Sequence, residues 1–294
     1  MVSQKTLILG GGGFLGKYLS SATRGETIIH HSGRSKELAS KNAFIYQITP
    51  GNLGDLKTYI RENSFSTIIN CIANANIDNC EQFPDDARFL NAEVAKSLAE
   101  VSLETGAKFI HISTDAVFDG QSPFRKESDF CLPGTVYGKT KLIGEEQVMN
   151  VNPNSLVVRV NFFGLSERKT SIFNYFMFGL QKKETLIGFS NIFFTPLYVE
   201  NTTAAIRRLM DLNVSGIVHV AGKERISKYE FGRMIAKVWG YPEELITPSY
   251  YHSDVNRALD LSLDTSKLTD MGISFHSLEQ CLVMLRESSI GRNV

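Results

Sequence analysis

Short apolar runs alternate with amphipathic stretches along the first half of the chain. The runs are typical of buried parallel strands, and they occupy residues 5–10, 27–31, 43–48, 67–72, 108–113 and 156–160. The clearest helical pattern covers residues 85–105, where Leu90, Val94, Leu98 and Val101 fall on one stripe. This alternation predicts an α/β fold with a doubly wound parallel sheet, in which ligands bind beyond the carboxyl ends of the strands.

The regular alternation ends after about residue 163. The later pattern predicts helices at residues 171–180, 199–210, 227–239 and 277–287, and strands at 185–190 and 216–221. No repeat or low-complexity linker separates the two halves. We therefore expect a Rossmann-like first domain over residues 1–163, rejoined by residues 195–222, and a smaller, partly interleaved α/β lobe formed mainly by residues 164–294.

Composition and charge exclude several classes of function. Of the 294 residues, 31 are Lys or Arg and 31 are Asp or Glu, so no excess positive field favours nucleic acid or anionic lipid. The four cysteines form no C-x-x-C pair, which is unlike a zinc site or a disulfide scaffold. No apolar stretch approaches the roughly 20 residues of a membrane span, and no signal-peptide pattern opens the chain. We expect a cytoplasmic protein that binds no metal, membrane or nucleic acid.

A glycine cluster lies between the first strand and the first helix. Gly10, Gly11, Gly12, Gly13 and Gly16 satisfy both G-x-G-x-x-G and G-x-x-G-x-x-G. Missing side chains permit a tight turn and close backbone approach, and the helix N-terminus at residues 14–17 would receive a pyrophosphate. A merely flexible turn is the alternative, but the surrounding strand, helix and βαβ continuation favour a dinucleotide site.

The end of the second strand bears on which dinucleotide binds. An NAD site usually places an acidic residue here to bind the ribose hydroxyl, but the sequence has His31, Ser32, Gly33, Arg34 and Ser35. The Arg34 guanidinium can pair with a 2′-phosphate, and Ser35 can add a hydroxyl donor. The sequence therefore favours NADPH, with NADH as the alternative if Arg34 is an ordinary exposed loop residue.

A tyrosine and a lysine at helical spacing supply candidate acid–base chemistry. Tyr137 and Lys141 lie four residues apart, so both fall on one helical face. A nearby ammonium would lower the tyrosine pKa from about 10 toward neutrality. The pair alone is also typical of an ordinary amphipathic surface. However, Ser113, Thr114 and Asp115 end the strand at residues 108–113 and place hydroxyl groups at its ligand-facing end.

These motifs, in this order, resemble the extended short-chain dehydrogenase/reductase superfamily. Within it the chain is most similar to the dTDP-4-dehydrorhamnose reductase family, through INCIANANIDNCE at residues 69–81, ISTDAVFDG at 112–120, VYGKTKLIGE at 136–145 and VVRVNFFG at 157–164. The resemblance implies a set of dinucleotide contacts: Gly10, Gly13, Phe14, Leu15 and Gly16 at the turn, and Asn52, Leu53, Ile72, Ala73 and Asn74 around the adenosine and ribose.

The resemblance also implies roles around the reacting carbonyl. Tyr137 would be the proton donor, and Lys141 would bind the nicotinamide ribose and tune Tyr137. Thr114 would hydrogen-bond the sugar carbonyl, with Ser113 as the alternative hydroxyl, and Asp115 would hold a sugar hydroxyl. Further substrate contacts would come from the residues that follow the strand at 156–160, namely Asn161 and Phe162.

The favoured hypothesis is an NADPH-dependent reductase of a nucleotide-linked 4-keto-6-deoxyhexose, acting in deoxysugar biosynthesis. A nucleotide-sugar epimerase or dehydratase is the first alternative. Related dehydratases carry Asp-Glu after the threonine, whereas Ala116 stands at the second of these positions here. The second alternative is a non-catalytic regulatory subunit resembling the methionine adenosyltransferase β subunit. The resemblance implies a homodimer.

Overall fold

The computed structural model describes residues 5–23, 26–31, 43–166, 171–252 and 258–289. The strands in these residues are β1 Lys5–Leu9, β2 Glu26–His31, β3 Ala43–Ile45, β4 Thr67–Asn70, β5 Lys108–Thr114, β6 Leu156–Val160, β7 Phe162–Phe163, β8 Leu186–Phe189, β9 Phe193–Phe194, β10 Leu197–Tyr198, β11 Gly216–Val220, β12 Ile226–Ser227, β13 Ile246–Ser249 and β14 Asp260–Leu261. The helices are α1 Phe14–Ala22, α2 Leu53–Glu62, α3 Ile77–Gln82, α4 Pro84–Arg88, α5 Val94–Thr105, α6 Val136–Val151, α7 Ile172–Gln181, α8 Val199–Asp211, α9 Lys228–Trp239, α10 Ser266–Asp270 and α11 Leu278–Ser289.

The main sheet has the strand order β11-β6-β5-β4-β1-β2-β3. Neighbouring strands from β5 to β3 pair in parallel. From β1 the chain builds outward through β2 and β3, then returns to add β4 and β5 on the other side, so the order reverses between β1 and β4. The predicted doubly wound α/β fold is confirmed. A reversal of this kind opens a crevice for ligands at the carboxyl ends of β1 and β4.

The core of this sheet is formed by the apolar runs that the sequence pattern singled out. The strands bury their side chains against the helical stripe of α5, because both faces of a parallel sheet are covered. Contributing residues that are buried include Leu7, Leu9, Ile68, Phe109 and Val157 from the strands and Val94, Leu98 and Val101 from α5.

The helix predicted over residues 85–105 is interrupted, and this part of the prediction is wrong. A π-helical turn at Phe89–Glu93 separates α4 from α5. The wider turn directs Asn91 inward, where it is fully buried. There Asn91 Oδ1 accepts the Asn74 N–H at 2.8 Å, and its amide nitrogen donates to Thr140 Oγ1 at 3.0 Å. These hydrogen bonds compensate for the irregular helix and tie three elements together.

The chain forms two units, and each unit is built from three separate segments of the sequence. The first unit comprises Met1–Val117, Cys131–Arg159 and Thr203–Val218, and the second comprises Phe118–Phe130, Val160–Thr202 and His219–Val294. The second unit thus contains four segments that were predicted in the first domain, residues 118–130, 160–163, 195–202 and 219–222. Long-range backbone pairing explains this, since Arg125 N–H donates to the Ser262 carbonyl and β10 pairs with β7.

The second unit is held by small sheets and an aromatic cluster. Its sheets have the orders β10-β7, β12-β9-β14 and β13-β8. Phe163 lies 5.3 Å from Phe231 and 6.0 Å from Phe173, measured between ring centroids, and Phe173 also contacts Trp239. Phe173 and Phe176 of α7 are fully buried in this unit, as the sequence pattern favoured, whereas Tyr175 of the same helix is exposed.

Candidate active site

The glycine turn joins β1 to α1 at the carboxyl edge of the main sheet. Gly10 has a φ of 76°, and a Cβ there would lie 2.8 Å from the carbonyl carbon of Cys71. A Cβ on Gly16 would lie 2.7 Å from the Cα of Gly11. Only glycine fits at either position, because β4 and the turn itself press against them. The turn leaves a backbone surface and a helix N-terminus, the arrangement that receives a pyrophosphate.

Of the first two residues of α1, one has its side chain in the core and the other has it nearer the surface. Leu15 is 5% exposed and faces the core, so only its backbone is available to a ligand at this turn. Phe14 is partly buried and packs edge-on against Tyr18 at 5.7 Å between ring centroids. Phe14 is thus the side chain of this predicted pair that lies nearer the surface.

The predicted adenosine contacts follow β3 and β4; β4 is next to β1 in the sheet order, and β3 is separated from β1 by β2. The Asn52 amide nitrogen donates to the Gln47 carbonyl, and its oxygen accepts the Thr49 N–H, both at 2.8 Å. The Asn52 side chain therefore closes the loop before α2, where Leu53 follows it. Arg34 and Ser35, the predicted phosphate contacts, lie outside the described residues.

The segment after β4 is fixed by hydrogen bonds within the first unit. The Cys71 N–H donates to the Leu9 carbonyl at 2.8 Å, and the Ile72 N–H donates to Asn70 Oδ1 at 3.0 Å. Ala73 and Asn74 continue this segment, and the Asn74 amide nitrogen donates to Asn79 Oδ1 at 2.7 Å. Ile72, Ala73 and Asn74 thus follow β4 at the reversal point of the sheet.

Tyr137 meets Thr114 where α6 begins. Thr135 caps α6 by accepting the Gly138 N–H at 3.1 Å, and a Cβ on Gly138 would overlap the Ala116 carbonyl oxygen. This glycine therefore allows the first turn of α6 to approach the turn after β5 closely. As a result, Tyr137 lies next to Thr114, which contributes to the pKa of the phenol.

Thr114 is in turn oriented by its neighbour. Its hydroxyl donates to Asp115 Oδ1 at 3.0 Å and accepts the Ala116 N–H at 3.2 Å. Thr114 is 7% exposed and Asp115 6% exposed, so both are largely shielded from water. The predicted proton donor and carbonyl-binding hydroxyl are thus brought together at the carboxyl end of β5, beside a buried carboxylate.

The predicted tuning of Tyr137 by Lys141 differs from the structure. Burial raises the pKa of Tyr137 to about 12, and the charge of Asp115 adds to the rise, while the hydrogen bond with Thr114 opposes it. Lys141 Nζ is held elsewhere, donating to the Ile112 carbonyl at 2.7 Å. The expectation of a pKa near neutrality is therefore wrong, and Tyr137 is a protonated phenol at neutral pH.

Lys141 is a buried amine, only 1% exposed. Burial lowers the pKa of Lys141 to about 8, although the charges of Glu145 and Cys71 oppose the decrease. A lysine shifted this far by burial is typical of functional sites, though structural networks also produce such shifts. Since Lys141 lies one turn beyond Tyr137 on α6, both groups belong to the same edge of the sheet.

Ser113 turns away from Thr114 to a buried ion pair. Its hydroxyl donates to Glu145 Oε1, and Glu145 Oε2 accepts from Arg159 Nη2 at 2.7 Å with both side chains 2% exposed. The Ser113 hydroxyl hydrogen is thereby used inside the protein. Of the two candidate hydroxyl groups, Thr114 is the one that lies next to Tyr137.

The remaining predicted substrate contacts belong to the second unit. Asn161 accepts the Leu197 N–H at its backbone carbonyl, 3.0 Å away, and Phe162 is paired with Leu197 in the β7–β10 sheet. Both side chains are partly buried. Their substrate role stays a prediction.

Sequence reasoning missed several polar residues of the site. Asn70, His111 and Asn91 are fully buried, and the first two sit opposite each other in the β4–β5 register. A detectable signal was present, because each interrupts an otherwise apolar stretch. His111 in particular has a partner at each ring nitrogen, since these lie next to Asn70 and Lys141.

Among the described residues, no cluster of three or more His, Cys, Asp or Glu side chains is arranged to hold a metal ion. All four cysteines lie in the described part of the chain, and none of them forms a disulfide. The described helices include none with the length and apolar character that crossing a membrane requires.

Comparisons with known proteins show the family to which the chain belongs. The family model of the RmlD substrate binding domain matches residues 4–285. The probable low-salt glycan biosynthesis reductase Agl14 of Haloferax volcanii is 32% identical over 234 residues, covering 76% of this chain and 78% of that protein. The methionine adenosyltransferase 2 subunit beta of Bos taurus is 32% identical over 219 residues, covering 70% of this chain and 65% of that subunit.

A solved structure extends the likeness to the whole fold. The crystal structure of a hypothetical dTDP-4-dehydrorhamnose reductase from Sulfolobus tokodaii superposes with a TM-score of 0.82 at 28% identity, covering 95% of this chain and 99% of that one. The resemblance predicted from the sequence motifs is confirmed by this likeness and by the family match.

Proposed function

Because the chain belongs to the family of the RmlD substrate binding domain, we propose that it is an NADPH-dependent reductase of a nucleotide-linked 4-keto-6-deoxyhexose. The observation that carries this proposal is the placement of Tyr137 next to Thr114 at the carboxyl end of β5, where the Thr114 hydroxyl also contacts the buried Asp115 carboxylate at 3.0 Å. A probable low-salt glycan biosynthesis reductase from Haloferax volcanii and a hypothetical dTDP-4-dehydrorhamnose reductase from Sulfolobus tokodaii are similar to the chain over most of its length. Both support the reductase class.

The first unit fits a nicotinamide dinucleotide. The turn at Gly10 and Gly16 has no room for a Cβ, so its backbone forms the cradle that a pyrophosphate requires. A bound nicotinamide would supply a hydride to the ketone carbon. The preference for NADPH rests on Arg34 and Ser35, which lie outside the described residues, and it is a proposal from the sequence.

The acid–base groups of this chain suit reduction of a ketone. The pKa of about 12 keeps Tyr137 protonated at neutral pH, and the oxygen of a reduced ketone is a stronger base than a phenolate. Tyr137 can therefore protonate that oxygen as it gains charge. The Thr114 hydroxyl lies beside it and would donate to the same oxygen by leaving its hydrogen bond to Asp115 Oδ1, which is 3.0 Å away. Lys141 would then meet the nicotinamide ribose below Tyr137.

Water elimination is less well supported than reduction. A dehydratase needs a second acid–base pair beside the sugar, and Ala116 after Asp115 supplies no ionisable group. A regulatory role is the second candidate, favoured by the likeness to the bovine methionine adenosyltransferase subunit. A homodimer and a cytoplasmic location also stay predictions.

A substrate panel tests the proposed reaction. Nucleotide-linked 4-keto-6-deoxysugars are mixed with protein and NADPH, and oxidation of the cofactor is followed by absorbance. Nucleotide-linked glucose is run in parallel, with products separated by chromatography to detect elimination or epimerisation. We expect cofactor oxidation that depends on the ketosugar. Product formation from nucleotide-linked glucose without net cofactor oxidation would instead favour the epimerase or dehydratase, and inertness toward every sugar would favour the regulatory role.

A further inference from the structure

A buried polar chain reaches Lys141 from the neighbouring strand. Asn70 ends β4, and His111 of β5 is its register partner. The Asn70 amide nitrogen lies 3.1 Å from His111 Nδ1, and His111 Nε2 lies 3.2 Å from Lys141 Nζ. Asn70 and His111 are fully buried. Both ring nitrogens of the imidazole therefore have a partner within the protein, and the ring orientation is fixed.

The hydrogen bond from Ile72 decides which ring nitrogen carries the proton. Asn70 Oδ1 accepts the Ile72 N–H at 3.0 Å, so the amide nitrogen of Asn70 is the atom that faces the imidazole. An amide nitrogen only donates hydrogen bonds. His111 Nδ1 must then accept, and a neutral imidazole carries its proton on Nε2.

This tautomer places an N–H group against Lys141. An ammonium has three donors and no acceptor, so it repels the His111 Nε2–H, whereas a neutral amine accepts from it. The Ile112 carbonyl accepts from either form of Lys141, at 2.7 Å. Rotating the Asn70 amide by 180° moves the conflict to Ile72, where two donors would meet. When Lys141 is protonated, one pair of hydrogen-bond donors therefore faces each other in either orientation of the Asn70 amide. The pair is at Lys141 in one orientation and at Ile72 in the other.

The His111 imidazole stays neutral beside Lys141, so a change in its protonation does not remove this conflict. Burial and the charge of Lys141 hold the pKa of His111 well below its usual range, so the ring is neutral. Glu145 on α6 and Cys71 after β4 are the acidic groups that favour the ammonium form of Lys141. Burial and the Nε2–H of His111 oppose them.

We propose that Asn70 and His111 are positioning residues that hold a hydrogen-bond donor against Lys141 Nζ and thereby favour its neutral form. The inference rests on the proposed function only in what it implies for cofactor binding, since Lys141 would contact the ribose of the cofactor. Its structural content, the tautomer of His111 and the proton affinity of Lys141, can be measured without cofactor or sugar.

The variant Asn70→Asp tests the proposal by reversing the donor and acceptor roles in the contacts that join Asn70, His111 and Lys141. An aspartate keeps one oxygen for the Ile72 N–H and turns the other, now an acceptor, toward His111 Nδ1. The imidazole proton should move to Nδ1, and the Nε2 lone pair should then accept from the Lys141 ammonium. We expect the pKa of Lys141, about 8 in the native chain, to rise by about one unit or more in this variant.

Asn152→Asp is the matched control. Asn152 is also buried, and its amide nitrogen donates to Ser102 Oγ at 3.0 Å. The Ser102 hydroxyl can donate to the new carboxylate. The control therefore adds the same buried negative charge directly after the last residue of α6. It should leave both the His111 tautomer and the Lys141 titration unchanged.

Nitrogen NMR of full-length protein supplies the readout. The imidazole ¹⁵N shifts, assigned with His111→Phe, report the tautomer, and the lysine ¹⁵Nζ shift, assigned with Lys141→Met, reports its titration. We expect a neutral ring protonated at Nε2 in the native chain and at Nδ1 in Asn70→Asp. A native ring protonated at Nδ1, or charged at pH 7, would overturn the proposal. So would an unchanged tautomer in Asn70→Asp. Neither outcome depends on whether the chain reduces a sugar.

Discussion

Replacing Glu145 by glutamine removes the charge that balances Arg159 inside the first unit. The two side chains are 2% exposed and 2.7 Å apart, and Arg159 Nε also lies 3.1 Å from each carboxylate oxygen. Breaking a buried ion pair on one side costs about 3–5 kcal/mol, because the remaining charge is left uncompensated. Since glutamine keeps one acceptor oxygen, we expect Glu145→Gln to cost about 3 kcal/mol of unfolding free energy.

A loss of this size is measurable by thermal unfolding. A destabilisation of 1 kcal/mol lowers the melting temperature by about 2–4 °C for units of 150–250 residues, so Glu145→Gln should lower it by about 6–12 °C. Circular dichroism against temperature, with urea titration as a second measurement, reports the change. Substituting both partners by leucine should recover part of the loss, because no buried charge then remains.

The matched control is Glu104→Gln, which removes the same charge from an exposed pair. Glu104 lies 2.8 Å from Arg61, and the two side chains are 46% and 45% exposed. An exposed pair contributes about 0–1 kcal/mol, so the melting temperature should hardly change. Equal losses for the buried and the exposed pair would refute the reasoning, because the buried network would then add nothing beyond an ordinary surface contact.

The remaining predictions concern the cofactor, and fluorescence titration of NADPH and NADH measures all three. Gly16→Ala should abolish binding of both cofactors, because its Cβ would lie 2.7 Å from the Cα of Gly11. The control Ser20→Ala, farther along α1, should bind both normally. Tight binding by Gly16→Ala would contradict the assignment of the glycine turn as the pyrophosphate site. Arg34→Ala should lose about ten- to a hundredfold of NADPH affinity, the equivalent of 1.5–3 kcal/mol, while NADH binding stays unchanged; equal weakening toward both would make Arg34 an ordinary loop residue. NADPH affinity should fall as pH rises through about 8, because Lys141 then loses its positive charge; a profile unchanged in Lys141→Met would show that another group titrates.

The main sheet and its ligand edge were predictable from local pattern. Apolar runs specify buried parallel strands wherever they alternate with helices, and the cluster from Gly10 to Gly16 sits where the first strand meets its helix. The same holds for Tyr137 and Lys141, whose spacing alone places them on one face of α6. These features depend on residues that are close together in the sequence.

The features that sequence reasoning missed depend on residues far apart in the chain. The π-helical turn at Phe89–Glu93 exists because Asn91 finds partners in Asn74 and Thr140, and neither partner is visible in the helical pattern. The pKa of Tyr137 likewise depends on how deeply α6 is buried. His111 acquires its role only when β4 and β5 pair in register.

The division of the chain into units was also beyond local pattern. Residues 118–130 follow β5 directly, yet they pair with the distant segment around Ser262 and Leu263. A boundary drawn where the strand–helix rhythm stops cannot detect such pairing, since the backbone hydrogen bonds that decide it join residues more than a hundred positions apart.

Turnover of the Tyr137→Phe variant tests the central claim most directly. The substitution removes one oxygen atom and so deletes the hydroxyl group that meets Thr114. With a nucleotide-linked 4-ketosugar that the native protein reduces, we expect turnover to fall about a hundredfold or more while NADPH affinity stays unchanged. Tyr59→Phe on α2, the same change away from the site, should react at the native rate. Native turnover by Tyr137→Phe would contradict the account, because the proton would then come from another group.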